Sequence, residues 1–132
     1  MKPERLRVFG LLAKMRRTVG YHIIGKLYEC EKEKLACVDK IRSIVNEVIS
    51  KTKLTAISQS SHQFKPFGVT YIVLLAESHI SIHTWPEFKL AHVDIFTCYL
   101  QHTENKEKCK KAFDILVRLL GAKDVEKMEI ER

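Results

Sequence analysis

From Leu54 to Cys98 the chain keeps a hydrophobic period of two, and a stretch that alternates in this way folds as sheet rather than helix. Four strands follow from it: Leu54 to Phe64, Gly68 to Glu77, His79 to Trp85 and Leu90 to Cys98. Breaks at Pro66-Phe67-Gly68, at Glu77-Ser78 and at Pro86 to Lys89 separate them. An antiparallel sheet is expected.

On either side the pattern changes. Tyr21 to Tyr28 (YHIIGKLY) is rich in β-formers and predicts a first strand. From Glu31 to Lys51 the apolar residues Leu35, Val38, Ile41, Ile44, Val45, Val48 and Ile49 recur every three or four positions, which predicts an amphipathic helix. A second helix from Glu104 to Leu120 carries Cys109, Ala112, Phe113, Leu116, Leu119 and Leu120 on one face, with Gly121 as its C-terminal cap. Val125 to Ile130 reads as a last strand. The order β-α-β-β-β-β-α-β predicts an α+β fold, a two-layer sandwich of an antiparallel sheet with two helices on one face. The other face then needs cover, which a second subunit can supply.

A chain of 132 residues with 45% hydrophobic content makes one core and leaves no room for a separate cofactor-binding domain. Its net charge of +7 would permit a nucleic-acid partner, but +5 of it lies in Met1 to Thr18, and the remainder is close to neutral. The expected organisation is a basic arm over residues 1–18 and one domain over residues 19–132. No nucleic-acid-binding motif follows the arm, and no nucleic acid is expected as partner. Val8 to Ala13 is too short to be a secretory core or a membrane span, so no membrane partner is expected and a cytoplasmic protein is the default. Cys30, Cys37, Cys98 and Cys109 form no C-x-x-C pair, which favours free thiols over bridges or zinc.

The most unusual stretch is Ala76 to Glu87, AESHISIHTWPE. On a helix His79 and His83 would flank one metal ion. On the expected strand, four residues at roughly 3.3 Å each separate them by about 13 Å, so they share none. No metal site is expected. A serine hydrolase is also disfavoured, because Ser78 lies in no G-x-S-x-G elbow.

ESHISIHTWPE, preceded by SHQFKPFGVT (Ser61 to Thr70) and followed by AHVDIFTC (Ala91 to Cys98), closely resembles the prokaryotic S-adenosylmethionine decarboxylase proenzymes. The three blocks in this order and spacing are far more specific than any one of them. The resemblance runs from about Gly20 to the C-terminus and omits the arm.

It implies a self-processing enzyme with a pyruvoyl cofactor made from its own chain, without pyridoxal phosphate. Decarboxylation leaves an electron pair on the α-carbon and needs an electron sink. By analogy, the Ser78 hydroxyl attacks the Glu77 carbonyl, the chain is cut between Glu77 and Ser78, and a pyruvoyl group replaces Ser78. That group would form a Schiff base with S-adenosylmethionine, and the product would be decarboxylated S-adenosylmethionine for spermidine synthesis. Cys98 matches the family's proton donor, and His83 the histidine that assists processing. Thr70 stands where the family usually has serine; it keeps a hydroxyl on a stiffer β-branched side chain. Glu87 matches the carboxylate that accepts from the ribose hydroxyls, Phe64 the aromatic that stacks on adenine, and Trp85 could close the same pocket. Without the resemblance, Phe64 reads as core, Glu87 as a turn residue, His83 as structural and Cys98 as a buried strand-end thiol. Lys89, Leu90, His92 and Tyr99 also depart from the family's usual residues.

In an extended strand Ser78 and His83 lie about 16 Å apart, too far for either to assist the other. The expectation is a twofold homodimer with active sites at the interface, each Ser78 served by the other copy's His83. Cys98 can reach its own Ser78. Rival functions are the same chemistry on arginine or ornithine, which Phe64 and Glu87 disfavour because a guanidinium calls for extra acidic groups, and a non-enzymatic basic module that binds nucleic acid through the arm.

Overall fold

Alternation along each strand separates an apolar face from a mixed one, and the molecule is built on that division. This is a computed structural model, and it describes residues 17–132. The basic arm expected over residues 1–18 therefore lies outside the described residues, apart from Arg17 and Thr18. The strands are β1 (Gly20–Tyr28), β2 (Ala56–Gln63), β3 (Val69–Leu75), β4 (Ser78–Trp85), β5 (Leu90–Cys98) and β6 (Asp124–Glu131). The helices are α1, a single turn at Lys32–Leu35, then α2 (Val38–Thr52) and α3 (Glu104–Leu119). One antiparallel sheet runs in the order β2-β3-β4-β5-β1-β6.

Every second residue of the central strands is buried: Val69, Tyr71, Val73 and Leu75 in β3, Ile80, Ile82 and Thr84 in β4, and Ala91, Val93, Ile95 and Thr97 in β5. Against this face pack Ile41, Val45 and Val48 of α2 and Cys109, Ala112, Phe113 and Leu116 of α3. Each buried aliphatic side chain contributes about 1.5–3 kcal/mol. The helix α2 lies over β2 and β3, α3 lies over β1 and β5, and the two helices touch. The α+β sandwich expected from the sequence is the fold observed. Gly25 is required in β1, because a Cβ there would meet the Phe113 ring at 2.4 Å.

The first helix differs from the expectation. It is interrupted at Ala36-Cys37, where Cys37 is extended at φ −135°. The cause is a set of partners distant in sequence. The Gln63 side-chain amide accepts from the Val38 N–H at 2.8 Å and donates to the Ala36 carbonyl at 3.0 Å, while the Gly68 N–H reaches the same carbonyl at 3.1 Å. These bonds replace the intrahelical ones that a continuous helix would make. They also tie the β2–β3 turn, which carries Phe64, to the helix layer.

The opposite face of the sheet has no cover among the described residues. It presents Thr70 and Leu74 of β3, His79 and His83 of β4, Cys98 of β5 and Met128 of β6, with Leu74 and Met128 at least half exposed.

Candidate active site

A two-residue connection, Ala76-Glu77, joins β3 to β4, with Leu75 paired to Ser78. Hairpins this tight use residues of positive φ, usually glycine. This turn contains no glycine, and the positive φ falls on Ser78, at 151°. Non-glycine residues essentially avoid that region. The strained residue is the one that follows the Glu77–Ser78 peptide bond.

The same bond is held from its other side. The Cys98 backbone N–H donates to the Glu77 carbonyl at 2.8 Å, and the Glu77 side chain accepts from the Thr55 N–H at 3.0 Å. Glu77 and Cys98 line a cleft of about 500 Å³ with Asn105 and Lys108 of α3. Thus Glu77, Ser78 and Cys98 meet at one end of β4, because the chain returns at Pro86 to Lys89 and β5 runs back alongside β4.

Near the other end of β4 lies a second cleft, of about 370 Å³, lined by Phe64, Thr70, His83, Trp85 and Glu87. Thr70 and His83 face each other across the β3–β4 ladder, and the Thr70 hydroxyl lies 3.3 Å from His83 Nδ1. The β-branched Thr70 side chain thus brings its hydroxyl to the His83 ring. Trp85 stacks on His83 at 6.5 Å between ring centroids and meets His92 edge-on at 4.7 Å. Buried Thr84 holds the wall of the cleft: its hydroxyl donates to the Leu35 carbonyl at 2.8 Å and accepts from the Val69 N–H at 2.9 Å. Phe64 is 48% exposed, which contradicts its reading as core and leaves its ring free to stack. Glu87 occupies the short 3₁₀ turn Pro86–Phe88, and Lys89 beyond it takes φ 51°.

The eight residues singled out in the sequence thus fall into two groups, and Ser78 and His83 stand five positions apart on one extended strand, about 16 Å. Within one chain the histidine does not reach the serine.

Two features escaped the sequence. His79 does not pair with His83 but with Asp94, at 3.5 Å, and Asp94 also bonds His22. Arg132 donates to His22 Nδ1 at 3.0 Å, which fixes the tautomer so that Nε2–H of His22 donates to Asp94. The ligand atoms of His22, His79 and Asp94 lie within 4.8 Å of one another, but the atom His22 would offer a metal is committed as a donor. The only hint was a polar residue, His22, between the apolar residues Tyr21 and Ile23 of β1. The second feature is Asn105, whose buried amide donates to the Cys98 carbonyl at 2.8 Å. No motif marks it.

Burial separates the four cysteines. Burial pushes the Cys109 thiol up to about 12 and the Cys30 thiol up to about 11, so both stay neutral in the core. Cys37 and Cys98 are only partly buried. The His92 imidazole is pushed below its usual value, first by burial and then by Lys26 and His83.

Residues 21–132 match the sequence profile of the family described as S-adenosylmethionine decarboxylase. The chain is similar to the S-adenosylmethionine decarboxylase proenzyme of Archaeoglobus fulgidus, 52% identical over 95 residues, which covers 72% of this chain and 83% of that one. The proenzyme of Aquifex aeolicus is 42% identical over 118 residues, covering 89% of this chain and 84% of that one. Among solved structures, the adenosylmethionine decarboxylase of Aquifex aeolicus superposes with a TM-score of 0.80 at 40% identity, covering 89% of this chain and 92% of that one.

Proposed function

Because the chain belongs to the S-adenosylmethionine decarboxylase family and is an enzyme of that kind, we propose that it cuts itself between Glu77 and Ser78 to make its own catalytic group. The observation that carries this reading is the conformation at that bond: φ 151° at Ser78, with the adjoining carbonyl already held by the Cys98 N–H at 2.8 Å. Attack by the Ser78 hydroxyl converts the Glu77 carbonyl to a tetrahedral centre with charge on oxygen. A backbone donor aimed at that oxygen stabilises the charge as it develops. Collapse expels the Ser78 nitrogen, which needs a proton, and leaves an ester. His83 passes the hydroxyl's proton to that nitrogen, and Thr70, 3.3 Å from its Nδ1, sets the ring's orientation. Loss of the Ser78 α-proton then expels the Glu77 carboxylate from the ester, which cuts the chain, and hydrolysis of the dehydroalanine left at position 78 releases its nitrogen as ammonia and leaves the ketone.

Residues at position 78 fit the group that the family implies. When formed, a pyruvoyl ketone at this position supplies the electron sink that decarboxylation needs. The chain's own part is then binding and proton delivery. Phe64 offers an exposed ring to the adenine of S-adenosylmethionine, Glu87 accepts from its ribose hydroxyls, and Trp85 closes the cleft beside them. Cys98, beside position 78, delivers the proton to the α-carbon after carbon dioxide leaves.

His83 must come from a second copy. The uncovered face carries Thr70, His83 and Cys98 together with the exposed side chains Ile24, Ile72, Leu74 and Met128. Two such faces pack about 10 Å apart. A twofold axis crossing β4 between Ser78 and His83 lays one copy's Ser78 over the other's His83, and completes two equal sites.

The test is product chemistry on freshly made protein. Wild type is expected as two fragments meeting at position 78, releasing carbon dioxide from S-adenosylmethionine and not from arginine or ornithine. Ser78→Ala is expected to stay whole and inactive. Carbon dioxide release by an uncut chain would sink the reading.

A further inference from the structure

We infer that Asn105 is a positioning residue for self-cleavage: it fixes the backbone of Cys98, and through it the donor that holds the Glu77 carbonyl. The inference rests on Glu77–Ser78 being the bond that is cut.

Cys98 is the last residue of β5, where the ladder ends and a loop leads to α3. A strand end is where backbone freedom returns. Here both flanks of Cys98 are gripped from one residue. On the carbonyl side, Asn105 Nδ2 donates to the Cys98 oxygen at 2.8 Å. On the amide side, the hydroxyl of buried Thr97 donates to the Asn105 backbone carbonyl at 2.9 Å. Asn105 itself is 4% exposed in the first turn of α3, where the packed helix fixes it. The Cys98 N–H, between these two anchors, is the group 2.8 Å from the Glu77 oxygen.

A donor to a developing oxyanion works only if it is already aimed, since a misplacement of about 1 Å can cost about a hundredfold in rate. Removing the Asn105 amide leaves Cys98 attached to β5 but frees its carbonyl to rotate, and that rotation carries the neighbouring thiol with it. His83, Thr70 and the cleft around Phe64 lie at the other end of the strand within the chain, and in the shared site they come from the second copy, so loss of the Asn105 amide leaves their own positions unchanged. Asn105 therefore acts on the bond and on the thiol, and not on substrate affinity.

The informative variant is Asn105→Leu, which keeps the branching and the number of heavy atoms but has no donor; Asn105→Ala is made beside it. Self-cleavage is followed on newly synthesised chain. Alkylation of Cys98 is compared with that of Cys37, a partly buried thiol far from Asn105 in sequence, as the internal control. Expected for Asn105→Leu is cleavage slowed about tenfold or more, a changed Cys98-to-Cys37 alkylation ratio, and, in the matured fraction, a lower kcat with KM for S-adenosylmethionine unchanged. Cleavage at the wild-type rate with an unchanged alkylation ratio overturns the role of Asn105. So does a KM that rises in step with any loss, or an equal loss in every readout as the folded fraction falls, because either one marks Asn105 as purely structural. If Asn105→Ala does not fold, Asn105→Leu decides. A wild-type chain that never cuts at position 78 overturns the underlying reading instead, and with it this one.

Discussion

A serine held at φ 151° costs about 1–3 kcal/mol, and here that cost falls on the residue next to the bond that we propose is cut. A glycine would relieve it but would bring no nucleophile. Thr70 shows the same economy of atoms. Its hydroxyl reaches His83 Nδ1 at 3.3 Å, and its extra methyl lies on the uncovered face. Thr70→Val should therefore slow self-cleavage by about three- to tenfold, the worth of one hydrogen bond, whereas Thr70→Ser should leave the rate unchanged. Timed gels of new protein read both. Five of the residues at issue, Phe64, Thr70, His83, Trp85 and Glu87, were legible because two ordered motifs carry them and adjacent strands bring those motifs together. Asn105 was not, since an asparagine near a helix start looks like any cap until its amide is seen on the Cys98 carbonyl.

Among the elements, the four middle strands were legible from a period of two and the first from its β-formers, and the observed bounds of all six fall within two residues of the expected ones. The break between α1 and α2 was not. Periodicity runs through Ala36-Cys37, and what interrupts it is Gln63, which lies 27 positions away from Ala36 and reaches both flanks of the break. No local pattern encodes such a partner. The packing of α3 on β1 makes a sharper prediction. A methyl at Gly25 would stand 2.4 Å from the Phe113 ring, so Gly25→Ala must push Phe113 out of its place. Overpacking of this kind costs about 1–3 kcal/mol. Denaturant unfolding should show the loss, and pairing Gly25→Ala with Phe113→Leu should recover part of it.

For the whole molecule the uncovered face is decisive. One imidazole on it, that of His92, makes it sensitive to acid. His92 lies beside Lys26, His83 and Trp85, and burial, with the charges of Lys26 and His83, lowers its affinity for a proton. A group whose folded value is depressed contributes stability above its ordinary value, about 6.5, and that contribution is lost as pH falls through the folded value. The melting temperature should therefore fall between pH 7 and pH 5, and less steeply in His92→Gln. The fold was legible from one chain, yet neither cleft holds all the residues that we propose act in processing, since Ser78 and His83 sit at opposite ends of β4. Co-expression of Ser78→Ala with His83→Ala tests that most directly. Neither variant alone should mature. Together they form one intact site, from the serine of one chain and the histidine of the other, and only the His83→Ala chain should be cut at position 78. A co-expressed pair that remains whole, beside a wild type that cuts, would contradict the shared site.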